Sequence, residues 1–326
     1  MTIKVAEVKR RLGALLNDDN LVNEYIRQYG PTMDIKNIKA IKESRSAAVD
    51  RGGTDAGGKD PVFTIAVTCP VCGYTDVTCY ELRAKSQQIL QNKFLVPCYE
   101  GSAGYRTIDY NRLAVIVCPR CLLASPDKKD FIRKAPSGQG MVKSQLTSNL
   151  ILLLQEKIGE RKAILKSVAN YEDYFKRPRL DDAAIASYRL AMARAGAEAW
   201  YEQPYSMYKM GAYCLKIAKI VKDAGGDNRE VISEALGFYE EAFRLSNCPS
   251  EEIEMQVIYT IVALYLKMGQ PKKANSYLGV FTNLKNTRKA EMKDNPQLTM
   301  RAIDKWQERA KRLWEDRDME DLFKDE

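Results

Sequence analysis

The chain contains no histidine among its 326 residues, and this absence removes several classes of enzyme. Histidine-based catalytic triads and catalytic zinc sites with histidine ligands are excluded. The sequence also has no GxxxxGK(S/T) phosphate loop and no GxGxxG motif after a strand, since its GGTDAGG run lies in a polar segment. No pair of carboxylates stands in a context typical of acid–base catalysis. The sequence therefore predicts a protein that is not an enzyme.

Long apolar runs are also missing. A membrane-spanning helix needs about 20 apolar residues, whereas the longest candidate here is LILLL at residues 150–154. The N-terminal stretch MTIKVAEVKRRLG has neither the apolar core nor the small-residue cleavage site of a secretory signal. We therefore expect a cytoplasmic protein with no membrane insertion.

The net charge says little about partners. The formal charge is +8, from 51 basic and 43 acidic residues, and it is partly offset by an acidic end, WEDRDMEDLFKDE. A basic balance favours nucleic-acid binding only when the charges cluster on one surface. Hydrophobic residues make up 45% of the chain and charged residues 29%, which is typical of a globular protein.

Changes in composition and in the spacing of apolar residues divide the chain into three predicted domains. Residues 1–60 combine helical apolar spacing with the Gly-rich segment DRGGTDAGGKDP, which predicts an N-terminal helical segment and a flexible linker. Residues 61–135 carry β-branched runs such as VFTIAVT and LAVIV and are predicted to form strands. Residues 141–326 show the three- and four-residue apolar spacing of helices.

Eight cysteines are present, and four of them form two closely spaced pairs. The pairs are CPVCG at Cys69 and Cys72, and CPRC at Cys118 and Cys121. Two such turns at strand ends can close a tetrahedral zinc site that has no open position for water. A structural Zn2+ ion held by these four residues is therefore the predicted cofactor. The intervening residues 73–117 exceed the ~15–20 of the compact motif, so an insertion must fill the predicted ribbon.

The cysteines also allow other interpretations. An iron–sulfur cluster could use the same four thiolates. A redox pair requires one CxxC at a helix N-terminus after a strand, which two proline-containing pairs after β-rich runs fit poorly. Cys79 and Cys98 have no partner at ligand spacing and are interpreted as small buried hydrophobes, with a substitute ligand or a regulatory thiol as the alternative. Cys214 and Cys248 lie in helical patterns and are interpreted as structural.

The C-terminal half is predicted to contain consecutive packed helices. The expected ranges include 205–223, 229–246, 251–268, 271–285 and 296–320. Tyr265, Gly269 and Ala274 occur in the order used by tetratricopeptide repeats, in which a glycine ends one helix and a proline starts the next. A generic helical bundle is the alternative. The predicted fold class is α+β, mostly α: a four-cysteine zinc-ribbon-like β module followed by an antiparallel helical domain.

Several blocks together resemble an uncharacterised bacterial family known as a domain of unknown function, found in Firmicutes and spirochaetes. They are VTCPVCG, CYELRAKSQ, YNRLAVIVCPRCLLAS with the following Asp130-Phe131, and IVALYLKMGQPKKA, spanning roughly residues 61–280. The resemblance implies a CPxCG zinc ribbon with the metal role at the four paired cysteines, followed by tetratricopeptide-like helices. It implies no activity. One departure is Leu122, which stands where CPxCG would have glycine, so a differently built second turn is expected.

The expected function is that of a non-enzymatic protein–protein interaction or scaffold protein. Stacked helix pairs leave a face suited to another protein. No particular oligomeric state is predicted. Aromatic residues gather near the start of the helical half, most of them expected in the core and some as candidates to line a groove: Trp200, Tyr201, Tyr205, Tyr208 and Tyr213.

Two alternative functions compete with this expectation. The first is a zinc-ribbon regulator that binds nucleic acid through phosphate contacts. Its candidate residues follow the second cysteine pair: Lys128, Lys129, Arg133, Lys134 and the run KRPR at 176–179. Acidic residues are interleaved with them, so a solvated charged face is the simpler interpretation. The second alternative is a thiol redox sensor that uses Cys79 or Cys98.

Overall fold

Short strands come first in the described part of the chain and long helices follow. A computed structural model describes Tyr25 and residues 58–102, 104–135, 139–200, 206–246 and 248–324. The predicted N-terminal helical segment, apart from Tyr25, lies outside the described residues. The described part is mostly helical with small antiparallel strand pairs, which confirms the predicted α+β, mostly α fold class.

Within the described ranges, the strands pair into four two-stranded antiparallel sheets. The pairs are β1 (Val62–Val67) with β2 (Val77–Leu82), β3 (Gln87–Gln91) with β4 (Pro97–Gly101), β5 (Ile116–Val117) with β6 (Ala124–Ser125), and β7 (Arg133–Lys134) with β8 (Met141–Val142). In the first sheet Val67 lies opposite Val77, and in the third Val117 lies opposite Ala124. One CxxC turn therefore follows β1 and the other follows β5.

The helices account for most of the remaining chain. They are α1 (Ser148–Glu156), α2 (Ile158–Ile164), α3 (Tyr171–Tyr174), α4 (Asp181–Ala199), α5 (Ser206–Asp223), α6 (Arg229–Leu245), α7 (Glu251–Lys267), α8 (Pro271–Asp294) and α9 (Arg301–Glu315). From α4 onward, consecutive helices pack against one another, and α9 also packs against α7. Three predicted bounds were wrong, because α8 continues to Asp294 rather than ending near 285, and α9 runs from Arg301 to Glu315 rather than from 296 to 320.

Helix α7 is the centre of the helical half. Its residues from Val257 to Tyr265 are buried on every side, as expected for a helix whose apolar residues cover its whole circumference. Gly269 ends it in the left-handed conformation, with φ +68°, and Pro271 starts α8. Ala274 is fully buried. The predicted junction between these two helices is confirmed.

The buried core is shared between the strand region and the helices. The largest apolar cluster combines α4–α9 with residues that precede or surround the second cysteine pair, among them Phe94, Val96, Val115, Val117 and Leu122. A second cluster surrounds the cysteines and includes Leu150 and Leu154 of α1. The division at residues 135 and 141 remains a prediction from sequence texture, and buried residues from both sides of it contact each other. Within the described residues, no helix is both long enough and apolar enough to cross a bilayer.

Candidate metal centre

The structure brings together the four cysteines that the spacing had singled out. The Sγ atoms of Cys69, Cys72, Cys118 and Cys121 all lie within 4.8 Å of one another. Two contacts link one turn to the other: Cys69 Sγ lies 3.5 Å from Cys121 Sγ, and Cys72 Sγ lies 3.5 Å from Cys118 Sγ. Four sulfurs at about 2.3 Å from a tetrahedral zinc ion would be roughly 3.8 Å apart. The donor set and its spacing therefore fit a single metal ion.

The first turn is held by two backbone hydrogen bonds. The Gly73 N–H donates to the Cys69 carbonyl (3.0 Å), and the Cys69 N–H donates to the Tyr74 carbonyl (2.8 Å). Gly73 has φ +73°, and a Cβ atom placed there would meet no atom within 4 Å. Glycine is therefore used here for its backbone freedom and not for space.

The second turn has the same construction without glycine. The Leu122 N–H donates to the Cys118 carbonyl (2.9 Å), and the Cys118 N–H donates to the Leu123 carbonyl (2.9 Å). Leu122 adopts φ +58°, so the expectation of a differently built turn was wrong. A left-handed non-glycine residue costs about 1–2 kcal/mol. Leu122 is fully buried in the shared core, and burying a leucine contributes about 1.5–3 kcal/mol, which offsets the strain.

Most of the site is buried. Cys69, Cys118 and Cys121 are buried and Cys72 is half-buried. Their neighbours in the second cluster are apolar: Val67, Val71, Val77, Ile116, Leu123, Phe131, Leu146, Leu150 and Leu154. A metal ion in such a place would be shielded from water and from substrates.

The thiols perturb one another's protonation. Hydrogen bonds from Cys118 and Cys69 lower the pKa of Cys121. The same kind of contact, made with Cys118 and Cys121 and reinforced by burial, raises the pKa of Cys69. One thiolate is therefore stabilised within the cluster, and binding of a metal ion would release protons from other thiols, because metal ligands must be deprotonated.

Helices α1 and α2 hold both turns from outside the strand region. Gln155 Nε2 donates to the Val71 carbonyl (2.7 Å), inside the first turn. Arg161 Nε donates to the Cys121 carbonyl (3.0 Å), at the second turn. Burial lowers the pKa of Arg161, and the thiols of Cys121, Cys69 and Cys118 act in the opposite direction. The motif analysis missed both residues because each acts on a turn far away in the sequence.

A buried ion network joins the second turn to the helices. Arg194 on α4 contacts Asp130 Oδ2 (2.9 Å) and Glu198 Oε1 (2.5 Å), and Lys209 Nζ on α5 donates to Glu198 Oε2 (2.9 Å). Ser125 on β6 donates to Asp130. Because the two acids and two bases balance, the network buries charge without a net excess. Of its members, the sequence analysis had quoted only Ser125 and Asp130, both in the family blocks.

All eight cysteines are free thiols, and four of them lie outside the cluster. Cys79 is buried, and burial raises its pKa to about 12. Burial also raises the pKa of half-buried Cys98. Cys214 is buried and Cys248 is half-buried. Cys79 is thus as buried as its interpretation as a small hydrophobe requires, whereas Cys98 is only half-buried.

Four of the seven basic residues considered for nucleic-acid binding have partners for their side chains in the described part of the chain. Lys128 pairs with Glu81 (2.5 Å), Lys176 with Glu172 (2.9 Å) and Arg177 with Asp60 (2.6 Å). Arg179, within the run KRPR, is 2% exposed and donates to the carbonyls of Phe175 (3.2 Å), Val115 (2.8 Å) and Arg112 (3.4 Å). This arginine is therefore a buried structural residue.

The aromatic residues near residue 200 divide between surface and core. Trp200 is 81% exposed at the end of α4. Tyr213 is buried, and Tyr208 is half-buried with its ring edge-on to Tyr239. Tyr201 and Tyr205 lie outside the described residues. Among the described members, Trp200 is therefore the candidate for a binding surface.

Fold and site define the class: a mostly helical protein whose strand region is organised around four cysteines able to hold a metal ion. Residues 62–309 match the family model DUF2225, described as an uncharacterized protein conserved in bacteria, and the chain belongs to that family. The match confirms the family suggested by the cysteine blocks and extends into α9. No curated protein and no solved structure matches the chain.

Proposed function

We propose that the chain is a non-enzymatic protein that binds a partner protein, with a structural zinc ion held by Cys69, Cys72, Cys118 and Cys121. The observation that carries the proposal is the closed cluster, in which the four sulfurs lie within 4.8 Å of one another. Four thiolate ligands fill the tetrahedral coordination of zinc and leave no position for a reacting water. The ion would therefore stabilise the fold and take no part in chemistry.

A single ion fits the sulfur spacing better than a polynuclear cluster. Sulfurs in contact at 3.5 Å leave room for one central ion, whereas an iron–sulfur cluster places several irons and inorganic sulfides between its cysteines. Zinc is the usual occupant of sites with four cysteine ligands. The free thiols also suit the reducing conditions of the cytoplasm.

A protein partner is favoured over nucleic acid by the surface of the chain. Consecutive helices pack against one another here, and stacked helices are commonly used to bind other proteins. Trp200 is exposed at the end of α4, and tryptophan is enriched among residues that dominate binding energy in protein interfaces. Lys128, Lys176 and Arg177 are engaged in ion pairs, which reduces what they could offer to phosphates. The redox alternative is weakened by the raised pKa of Cys79 and Cys98, because the thiolate is the reactive form.

The metal assignment is tested by elemental analysis of the purified full-length chain. We expect about one zinc per chain and no visible absorption. Iron in place of zinc, with a coloured protein, would replace the assignment, and a metal-free protein that refuses added zinc would reject the site.

The partner assignment is tested by recovering a tagged chain from its native host with and without nuclease. We expect a discrete protein partner that survives nuclease and is lost with Trp200→Ala. Leu245→Ala is the control, because it also removes a partly exposed apolar side chain (41% exposed), at the end of α6, and is expected to keep the partner. Recovery that collapses with nuclease would establish the nucleic-acid alternative instead.

A further inference from the structure

Arg161 is a buried cation that has no carboxylate partner among the described residues. It is 1% exposed. Its Nε donates to the Cys121 carbonyl (3.0 Å) and its Nη2 to the Leu154 carbonyl (2.7 Å), while its Nη1 is buried without a hydrogen-bond partner in the described part of the chain. An uncompensated buried charge strongly destabilises a fold. Such a residue requires negative charge close by.

The cysteine cluster can supply that charge. Four thiolates around one divalent ion carry a net charge of about −2, and here they would be enclosed by apolar side chains. Burial of a net charge is unfavourable unless an opposite charge accompanies it. The other cation on the second turn, Arg120, is exposed and stacks on the Tyr74 ring at 4.5 Å, so water screens its charge.

We propose that Arg161 supplies the counter-charge of the metal–thiolate centre and is a positioning residue that raises metal affinity. The inference rests on the proposed metal site. Gln155 provides the comparison within the same pair of helices, because it holds the Val71 carbonyl of the first turn through a neutral amide. Both side chains orient a turn, and Arg161 alone of the two adds positive charge.

Two substitutions in the full chain separate charge from hydrogen bonding. Arg161→Lys keeps a positive charge and a donor, whereas Arg161→Gln keeps a donor without charge. Zinc affinity is measured by competition with a chromogenic chelator, with circular dichroism as the check on folding. We expect Arg161→Gln to weaken zinc binding by about 10- to 100-fold, the usual effect of removing a residue that supports a metal ligand, and Arg161→Lys to stay within about 3-fold of the unmodified chain.

Arg179→Gln is the matched control. Arg179 is equally buried and also donates to backbone carbonyls, but the ionisable groups that act on it are tyrosines and not thiols. We expect this variant to lower the melting temperature and leave the zinc affinity of the folded protein unchanged. Equal zinc affinity in the lysine and glutamine variants, or an equal loss in Arg179→Gln, would overturn the counter-charge role.

The outcomes also separate this inference from the metal assignment itself. An unmodified chain that binds no zinc rejects the site, whereas an unmodified chain that binds zinc as tightly as Arg161→Gln rejects only the role of Arg161. Should Arg161→Gln fail to fold, Arg161→Lys decides alone. Retained affinity with a lower melting temperature supports the counter-charge, and a loss of 10-fold or more in this charge-preserving variant contradicts it.

Discussion

The two cysteine turns have the same backbone hydrogen bonds but reach their shape by different means. In the first turn Gly73 takes a positive φ with open space around it. In the second, Leu122 takes a similar φ while its side chain is fully buried. One turn uses a residue that tolerates the conformation, and the other uses a residue that resists it but gains from packing. A motif defined by glycine therefore describes one solution to the geometry and not the only one.

The two turns also differ in how deeply they are buried. The first turn lies near the surface, with Cys72 half-buried and Gly73 exposed. The second is embedded, because Leu122 belongs to the core shared with the helices and the nearby Asp130 pairs with Arg194 of α4. We infer that damage to the second turn spreads into the helices more than damage to the first.

The largest effect is expected from removing the metal ligands. Cys69→Ser and Cys118→Ser should each abolish stoichiometric zinc, and with it about 5 kcal/mol or more of stabilisation of the strand region, because metal binding and folding of such sites are coupled. Far-UV circular dichroism should retain most of the helical signal, since α4–α9 contribute most of the residues of the core that they share with the strand region. The helices should nevertheless melt at a lower temperature in Cys118→Ser than in Cys69→Ser.

Cys79→Ser is the control for these substitutions, because Cys79 is buried outside the cluster, and it should retain zinc. Equal melting temperatures for Cys69→Ser and Cys118→Ser would show that the two turns are equally coupled to the helices. A complete loss of helical signal in both would show that the strand region and the helices fold as one unit.

The next largest effect is expected at the ion network behind the second turn. Arg194→Met leaves Asp130 and Glu198 buried without their arginine, and breaking a buried pair in this way typically costs about 3–5 kcal/mol. Arg189→Met on the same helix is the control. Arg189 pairs with Glu234 (2.6 Å) where both side chains are 34% exposed, so its loss should cost less than about 1 kcal/mol. Denaturant unfolding measures both, and similar losses would contradict an embedded second turn.

The backbone strain at Leu122 is tested by comparing the stabilities of two variants, Leu122→Ala and Leu122→Gly. Leu122→Ala removes a fully buried side chain and should cost about 2–5 kcal/mol. Within a helix or strand, a protein with glycine is normally less stable than the same protein with alanine by about 0.5–1 kcal/mol. At a position with positive φ, the glycine variant is expected to be the more stable of the two. Leu122→Gly should therefore be more stable than Leu122→Ala in denaturant unfolding. The opposite order would mean that the turn leaves the left-handed conformation once the leucine side chain is gone.

The sequence predicted those parts of the centre that depend on local spacing. The four cysteines, the glycine that ends α7 and the family membership follow from residues close together in the chain. Gln155 and Arg161 did not, because they act on carbonyls 84 and 40 residues away. Arg179 shows that a local pattern can also mislead, since it lies in a basic run that suggested a surface contact with phosphates, whereas its side chain is buried in the fold. Whether such a side chain is buried or exposed depends on packing against residues far away in the sequence, so a local pattern does not predict it.

The smallest effect is expected at Gly73. Gly73→Ala introduces a Cβ that meets no atom within 4 Å, so the loss should come from the backbone alone, at about 1 kcal/mol. Gly159→Ala is the control, because Gly159 also has open space but lies in α2 without a positive φ, where alanine should stabilise by about 0.4–1 kcal/mol. Opposite signs in the two denaturation midpoints would confirm that the first turn needs glycine for its conformation. A stabilising Gly73→Ala would mean that the first turn, like the second, accepts a side chain, and the difference between the turns would then lie only in their burial.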